Sequence, residues 1–216
     1  ELEAMIKAEK PEVLFMPHVE TSTGILVPDD YIKRASAAIH DVGGLMVLDC
    51  IASGTIWVDM KETGVDALIT APQKGWTGPA CVGIVMLSER GLAATKATTG
   101  DSLVCNLGKW LGVMEAYEGG GFAYHTTMPT DALVVARDAM LATKEFGFEN
   151  AHNAAFDLGK RIRNVLCNDR GLISVAAEGF QSPGVVVVHP AGVVVVPGRV
   201  VVVRSSAASA TTAARR

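Results

Sequence analysis

Two ionisable residues stand at the ends of apolar segments of the sequence. Asp49 lies near the end of the run LMVLDC, and Lys74 follows the apolar stretch that ends at Thr70. A lysine amine that lies beside a cofactor and out of water has a lowered pKa, and the neutral amine is a nucleophile that forms a Schiff base. A carboxylate at the end of a buried strand is costly unless a cation or a hydrogen-bond donor meets it.

Each of these residues also has an ordinary structural interpretation. Most lysines are solvated, and an aspartate commonly caps a helix or ends a strand in a loop. The combination favours chemistry, because both residues are followed by small residues that let a flat ligand approach the backbone. These small residues are Ala52, Ser53 and Gly54 after Asp49, and Gly75 and Gly78 after Lys74.

Short apolar segments with glycine-containing links predict the elements that position these residues. We predict strands over 12–16, 45–50, 66–70 and 82–87. The continuous apolar run of the second strand indicates that it is covered on both faces. The acidic residues after Pro28 predict a helix that closes at Gly43. This order predicts an α/β layered sheet, in which ligands lie beyond the carboxyl ends of the strands.

The second half of the chain predicts a separate, smaller unit. Apolar residues recur with helical period over 131–147 and 150–168, and a strand is predicted to begin at Ser174. A boundary near Gly147 is plausible. We therefore predict a partial large domain over 1–147, the start of a small α+β domain over 148–187, and a tail over 188–216.

The tail has two interpretations. Runs of four valines recur from residue 185, and the sequence beyond that point contains no Asp, Glu, Lys, Leu, Ile or Phe. The runs predict either three short strands with Pro-Gly turns or low-complexity sequence, disordered or from a shifted reading frame. We favour low-complexity sequence, because no run alternates polar with apolar residues and no acidic residue balances the arginines.

Composition and charge exclude several classes of function. A net charge of -4 leaves no basic surface for nucleic acid. No apolar run reaches the ~18 residues of a membrane span, and the residues after Glu1 do not begin a signal peptide, so a cytoplasmic location is expected. The four cysteines form no CxxC pair, which argues against a zinc site or a disulfide framework, and no metal site is predicted.

Asp49 and Lys74 together match the chemistry of pyridoxal phosphate. A carboxylate opposite a pyridine nitrogen keeps that nitrogen protonated and makes the ring an electron sink, while a lysine supplies the Schiff base. Four segments then resemble, in order and spacing, the motifs of class V aminotransferases of fold type I, most closely the alanine/serine-glyoxylate group. They are HVETSTG (18–24), VLDCIAS (47–53), APQKG (71–75) and AYHTTMP (123–129). The resemblance extends from residue 12 to about 187 and implies the three-layer α/β sheet of that family's large domain.

The resemblance also implies roles for single residues. Lys74 would form the Schiff base and shuttle the proton, and Asp49 would pair with the pyridine nitrogen. Ile51 would pack against one face of the ring, and Thr21 would hydrogen-bond at its edge, near the phenolic oxygen. Gln73 would contact the phosphate.

The resemblance also implies that two further residues contact a neighbouring subunit. Tyr124 and Thr127 match residues that reach the phosphate of the neighbouring subunit, which implies a homodimer with shared active sites. Taken without the resemblance, residues 124–127 are better interpreted as a polar loop before a helix. For His18 we expect a structural hydrogen bond and no catalytic role.

The implied reaction moves an amino group from serine or alanine to glyoxylate or pyruvate. Other class V reactions remain open, namely cysteine desulfuration, disfavoured because the cysteines lie in or beside apolar runs, and aminoethylphosphonate transamination. A third interpretation is a non-catalytic fragment that persists by association. Family members have a long segment before the equivalent of Glu12 and a carboxylate-binding arginine near their end, and we assign neither Arg199 nor Arg204 that role.

Overall fold

The computed structural model describes residues 1–196 and 199–202, the last two strands by their backbone only. The helices are α1 (Leu2–Glu9), α2 (Asp29–Asp41), α3 (Met60–Thr63), α4 (Glu89–Ala97), α5 (Leu107–Glu118), α6 (Thr130–Phe146) and α7 (Phe148–Asn164), which continues into a π-helical turn (Val165–Asp169). The strands are β1 (Val13–Pro17), β2 (Val19–Glu20), β3 (Ile25–Leu26), β4 (Leu45–Asp49), β5 (Ala67–Thr70), β6 (Ile84–Leu87), β7 (Ile173–Ser174), β8 (Val188–His189), β9 (Val193–Val196) and β10 (Arg199–Val202).

Four strands form the central sheet in the order β1-β4-β5-β6. β1, β4 and β5 are parallel, and β6 runs antiparallel to β5. Pro17 pairs with Asp49, and Asp49 pairs with Ile69, so the three parallel strands end at the same edge of the sheet. The predicted α/β sheet is confirmed, and the predicted strands fall within two residues of the observed ones.

Helices α1 and α2 cover one face of this sheet. Ile32 and Ile39 of α2 are fully buried against Met46 and Leu48 of β4, and Leu68 of β5 joins the same cluster. The packing is tight where α2 meets the start of β4, because a Cβ on Gly44 would lie 2.5 Å from the carbonyl oxygen of Pro11. This face contains the hydrophobic core of the described residues.

The opposite face of the sheet is only partly covered among the described residues. Val13 and Phe15 of β1 are 48% and 57% exposed, and Val85 of β6 is 36% exposed. Val47 of β4 is half-buried, although its apolar run predicted burial on both faces. Sheets with parallel strands are normally covered on both sides, so this face needs a further layer.

A buried carboxylate joins the elements at the other end of the sheet. Asp66, which is 3% exposed, accepts hydrogen bonds from the Met46 amide at 2.9 Å and from Ser88 at 3.1 Å. His40 of α2 lies 2.7 Å from the same carboxylate. These contacts hold α2, β4 and the start of α4 around the first residues of β5.

The two long helices fit the predicted segments and meet at Gly147, which has a φ of 98°. A strand is predicted to begin at Ser174, whereas the observed strand β7 ends at that residue and pairs with β8. β9 and β10 pair antiparallel. Residues 197–198 and 203–216, including Arg204, lie outside the described residues. Within the described part of the chain, no helix is long and apolar enough to cross a membrane.

Candidate active site

The carboxyl ends of β1, β4 and β5 meet at one edge of the sheet. The His18 amide donates to the Asp49 carbonyl at 2.9 Å, and the Cys50 amide donates to the Ile69 carbonyl at 2.8 Å. The loops that follow the three strands therefore lie side by side. Thr21 is exposed in the turn after β2, three residues beyond His18.

Asp49 is half-buried at this edge, and its carboxylate can accept further hydrogen bonds. One carboxylate oxygen, Oδ1, accepts the Ile51 amide at 2.9 Å, which fixes the orientation of the carboxyl group. Among the described ion pairs, no Lys, Arg or His side chain is paired with Asp49. A negatively charged group in this position fits a ligand that presents a protonated ring nitrogen.

The loop that bears Lys74 is anchored at its base and exposed at its tip. Ala71 and Pro72 are buried, whereas Gln73 and Lys74 are exposed. The Gly78 amide donates to the Pro72 carbonyl at 2.8 Å, and the Thr77 amide donates to the Lys74 carbonyl at 3.0 Å. The backbone is therefore held in a tight turn, and among the residues that the structure describes no ion pair engages the Lys74 amine.

Gly54 and Gly75 bring the Asp49 loop and the Lys74 loop into backbone contact. A Cβ on Gly75 would collide with the Gly54 carbonyl and would lie 2.8 Å from the Gly54 Cα. The sequence predicted that these small residues let a ligand approach the backbone. In the structure, Gly54 and Gly75 let the two loops approach each other. This contact sets the Lys74 turn against the segment that follows Asp49.

A buried polar cluster lies beneath the Asp49 loop. His18 is 1% exposed, and its Nδ1 lies 2.8 Å from the Ser53 hydroxyl and 3.8 Å from the Cys50 sulfur. Burial lowers the pKa of His18 to about 4, so the imidazole is neutral at pH 7. The structural hydrogen bond expected of His18 is present, and it ties the end of β1 to Ser53.

The cysteines differ in their surroundings. Burial raises the pKa of the Cys50 thiol to about 12, which makes this residue a poor nucleophile. Cys105, however, is exposed and Cys81 and Cys167 are half-buried. The sequence argument that cysteines beside apolar runs are buried therefore holds for Cys50 but is wrong for Cys105. No group of His, Cys, Asp and Glu that could hold a metal is found in the described residues.

Tyr124 and Thr127 form a pair of their own. The Tyr124 hydroxyl lies 3.0 Å from the Thr127 hydroxyl, and Tyr124 is 76% exposed. Neither has a described hydrogen bond to Asp49 or Lys74. Asp49, Ile51, Gln73 and Lys74 thus stand at or just after the ends of β4 and β5, and Thr21 lies in the turn after β2. The described hydrogen bonds do not join Tyr124 and Thr127 to this group.

The structure adds an aromatic cluster that the sequence did not reveal. Trp57 lies in the loop after Asp49, Trp76 lies two residues after Lys74, and Phe148 begins α7. The ring centroid of Trp57 lies 5.0 Å from that of Trp76 and 5.1 Å from that of Phe148. No periodicity links residues that are 91 positions apart in the chain, so only the folded structure brings them together.

Comparison with known proteins gives a consistent set of relatives. The family model described as Aminotransferase class-V matches residues 1–189. The alanine–glyoxylate aminotransferase of Felis catus is 30% identical over 70% of this chain and 36% of its own length. The serine–glyoxylate aminotransferase of Methylorubrum extorquens is 28% identical over 76% of this chain and 42% of its own length. The 2-aminoethylphosphonate–pyruvate transaminase of Pseudomonas fluorescens is 27% identical, with 80% and 45% covered.

Solved structures share the fold. Alanine–glyoxylate aminotransferase from Nostoc sp. has a TM-score of 0.77 at 23% identity, covering 89% of this chain and 50% of that chain. The PLP-bound phosphoserine aminotransferase from Trichomonas vaginalis has a TM-score of 0.58 at 15% identity, with 78% and 42% covered. At these identities the likeness concerns the fold alone. The chain spans about half the length of these solved structures. It spans less than half the length of the relatives that were found by sequence.

Proposed function

Because the chain belongs to the class V aminotransferase family, we propose that it transfers amino groups on pyridoxal phosphate held between Asp49 and Lys74. The observation that supports this most directly is the backbone contact between Gly54 and Gly75, which sets the Lys74 turn beside the Asp49 loop. The Asp49 carboxylate, which has no cationic partner within the described part of the chain, and the exposed Lys74 amine then stand at the edge where α/β sheets bind ligands.

The chemistry of the cofactor gives each residue a task. Bound pyridoxal phosphate supplies a carbonyl carbon that amines attack and a ring that takes up electrons from the substrate's α-carbon. Lys74 would hold the cofactor at that carbonyl carbon through its amine, and the same amine would carry the proton to and from the α-carbon. Asp49 holds the proton on the ring nitrogen, because its negative charge favours the charged form of that nitrogen.

Three neighbouring residues orient the cofactor in this proposal. Ile51 packs against one face of the ring, and its amide already fixes the Asp49 carboxyl group at 2.9 Å. Thr21 donates to the phenolic oxygen from the turn after β2. Gln73 is exposed beside Lys74 and donates to a phosphate oxygen. These groups hold the ring in one orientation, so that the reacting atoms stay aligned with the lysine.

We further propose a homodimer in which Tyr124 and Thr127 contact the phosphate of the partner subunit. Both hydroxyls lie on an exposed loop, and their mutual hydrogen bond of 3.0 Å holds them as one polar group. Exposed apolar side chains lie in the segments before and beside this loop, with Leu103 67% exposed, Val104 62% exposed and Phe122 86% exposed. An apolar surface of this kind beside a polar pair supports burial against another subunit.

The proposed substrates are serine or alanine as amino donor and glyoxylate or pyruvate as acceptor. The relatives named for alanine–glyoxylate and serine–glyoxylate transfer support this choice. The second candidate is aminoethylphosphonate transamination, which a relative at 27% identity supports. Cysteine desulfuration requires an exposed, activated thiol. Cys105 is exposed, so a test for desulfuration must include a variant of this residue.

A half-reaction assay separates these substrates. The purified chain is loaded with pyridoxal phosphate, mixed separately with L-alanine, L-serine, 2-aminoethylphosphonate and L-cysteine, and followed by absorbance and by mass spectrometry of the products. We expect pyruvate from alanine or hydroxypyruvate from serine, and glyoxylate should restore the starting spectrum. A Lys74→Ala variant serves as the inactive control.

Each other outcome corrects the proposal in a specific way. Conversion of 2-aminoethylphosphonate alone would transfer the assignment to the second candidate. Release of sulfide from cysteine that is lost in Cys105→Ser would identify a desulfurase. Cofactor binding without conversion of any donor would support the non-catalytic interpretation.

A further inference from the structure

The aromatic cluster of Trp57, Trp76 and Phe148 joins three segments that meet beside the candidate site. Trp57 and Trp76 are tilted by 44° with their centroids 5.0 Å apart, and Trp76 and Phe148 meet edge to face at 6.3 Å. Trp57 and Phe148 also meet edge to face, at 5.1 Å. Edge-to-face contacts of this kind add stability beyond the area that they bury, because the positive edge of one ring meets the negative face of the next.

Two polar contacts attach the Asp49 loop to the start of α7. The Trp57 indole Nε1 donates to the Phe148 carbonyl at 2.9 Å, and the Thr55 hydroxyl donates to the Ala151 carbonyl at 3.1 Å. Both acceptors lie in the first turn of α7, directly after the joint at Gly147. The loop is thus bound to the helix by hydrogen bonds as well as by ring contacts.

The cluster is placed to control the position of Lys74. Trp76 is two residues beyond Lys74, and the intervening Gly75 packs against Gly54, three residues before Trp57. Because the two loops are in backbone contact, neither can shift without moving the other. The ring contacts of Trp57, Trp76 and Phe148 therefore link the lysine turn to the Asp49 loop and to α7.

The location of the cluster argues against a role in filling the core. Trp57 and Trp76 are half-buried and Phe148 is 42% exposed, whereas the core residues of α2 and β4 are fully buried. Three large aromatic rings at the surface contribute less to the hydrophobic core than buried ones would. What they contribute is a fixed relation between two loops and a helix.

We propose that Trp57, Trp76 and Phe148 are positioning residues that fix the Lys74 turn relative to Asp49 and couple both to the start of α7. The consequence for the cofactor rests on the proposed function, because it assumes that Lys74 is the residue that binds pyridoxal phosphate. The mechanical part, which is the restraint on the Lys74 turn, does not depend on any cofactor.

Native-state proteolysis tests the restraint without a cofactor. Trypsin cleaves after lysine, and the Lys74–Gly75 bond can be cut only when the turn opens locally. We expect Trp57→Leu and Phe148→Leu to increase the cleavage rate at Lys74 by about tenfold, because each substitution removes two aromatic pairs. Trp57→Phe keeps a ring but lacks the Nε1 donor, and it should give an intermediate rate.

The third tryptophan provides a matched control. Trp110 of α5 donates to the Val104 carbonyl at 2.7 Å, on a different part of the chain. Trp110→Phe should leave cleavage at Lys74 unchanged and alter only the neighbouring site at Lys109. Mass spectrometry of the first cleavage products distinguishes the two sites, and global unfolding in denaturant identifies any variant that has lost its fold.

A second measurement uses pyridoxal phosphate. In the loaded protein, the pH midpoint of the visible absorbance change should shift in Trp57→Phe, and the yield of borohydride-trapped Lys74 should fall. Neither should change in Met5→Ser on α1, where the side chain is 52% exposed. Unchanged cleavage at Lys74 in Trp57→Leu and Phe148→Leu would overturn the restraint. Faster cleavage with an unchanged midpoint and yield would overturn the positioning role. A wild-type chain that forms no adduct would refute the proposed function, and the cleavage rates would still decide the restraint.

Discussion

At the scale of single residues, the buried imidazole of His18 ties the stability of the protein to pH. Burial lowers its pKa from 6.5 to about 4. Between these values the unfolded chain binds a proton that the folded protein does not, so the free energy of unfolding falls as the pH decreases from 6.5 to 4. The expected loss from this one group is roughly 3 kcal/mol, and it contributes no pH dependence above about pH 7.

Denaturant unfolding at a series of pH values measures this effect. A His18→Gln variant is expected to be less stable at pH 7, because it disturbs the contact with Ser53, but to lose less stability between pH 6.5 and 4. His152→Gln, on α7, is the matched control and should keep the wild-type slope. Equal slopes in His18→Gln and the wild type would show that His18 does not carry this pH dependence.

The sequence singled out Asp49 and Lys74 as candidate reactive residues but did not reveal the contacts that hold their loops. Both residues could be proposed because each follows an apolar run, and the end of a strand is where a sheet exposes polar groups. The Gly54–Gly75 contact could not be found, since a glycine is equally consistent with a turn, a ligand and a close approach. The aromatic cluster joins distant segments, which leaves no local pattern to detect.

At the scale of elements, the contact between the two site loops leads to a direct prediction. A Cβ on Gly75 would collide with the Gly54 carbonyl, whereas a Cβ on Gly83 would meet nothing within 4 Å. Gly75→Ala should therefore force the loops apart and lower the free energy of unfolding by roughly 1–3 kcal/mol, as overpacking does. Gly83→Ala should be close to neutral, because it adds a methyl group in open space.

Chemical denaturation of both variants gives the comparison. The Gly75→Ala variant is also expected to lose trapping of Lys74 by borohydride in the presence of pyridoxal phosphate, since the lysine turn has moved relative to Asp49. If Gly75→Ala and Gly83→Ala had the same stability and the same trapping yield, the two loops would not be in the described contact.

The elements were predictable to the extent that local periodicity defines them. α6 and α7 follow the helical period of their apolar residues, and the ends of β1, β4 and β5 follow the apolar runs. The direction of β6 was not predictable, because the sequence of a single strand does not show whether it pairs parallel or antiparallel with its neighbour. The period of α7 also placed Leu158 and Ile162 on one apolar face, yet they are 55% and 41% exposed. Periodicity shows which residues share a face, and it does not show what covers that face.

At the scale of the whole molecule, exposed apolar surface predicts association. Phe15 on the sheet and Leu103 and Phe122 beside the Tyr124 loop are each more than half exposed. Surfaces of this kind are normally buried against a partner or a further layer. We expect the purified chain to form dimers or larger species in a concentration-dependent way, as measured by sedimentation velocity.

A double substitution and a single control substitution separate the proposed dimer surface from other contacts. Leu103→Ser with Val104→Ser should weaken dimerisation by about tenfold or more, because burial of two apolar side chains is lost. Met5→Ser on α1, where the side chain is 52% exposed, is the control and should leave it unchanged. A chain that is monomeric at all concentrations would contradict the homodimer.

The central claim is that Lys74 and Asp49 form a site for pyridoxal phosphate, and borohydride reduction tests it most directly. The chain is incubated with pyridoxal phosphate, reduced with sodium borohydride, digested and mapped by mass spectrometry, in parallel with Asp49→Asn and Lys74→Ala. We expect one stable phosphopyridoxyl group on Lys74, at a yield well above that of the other exposed lysines, and a lower yield in Asp49→Asn. Equal labelling of all exposed lysines, or the same yield in Asp49→Asn as in the wild type, would contradict it.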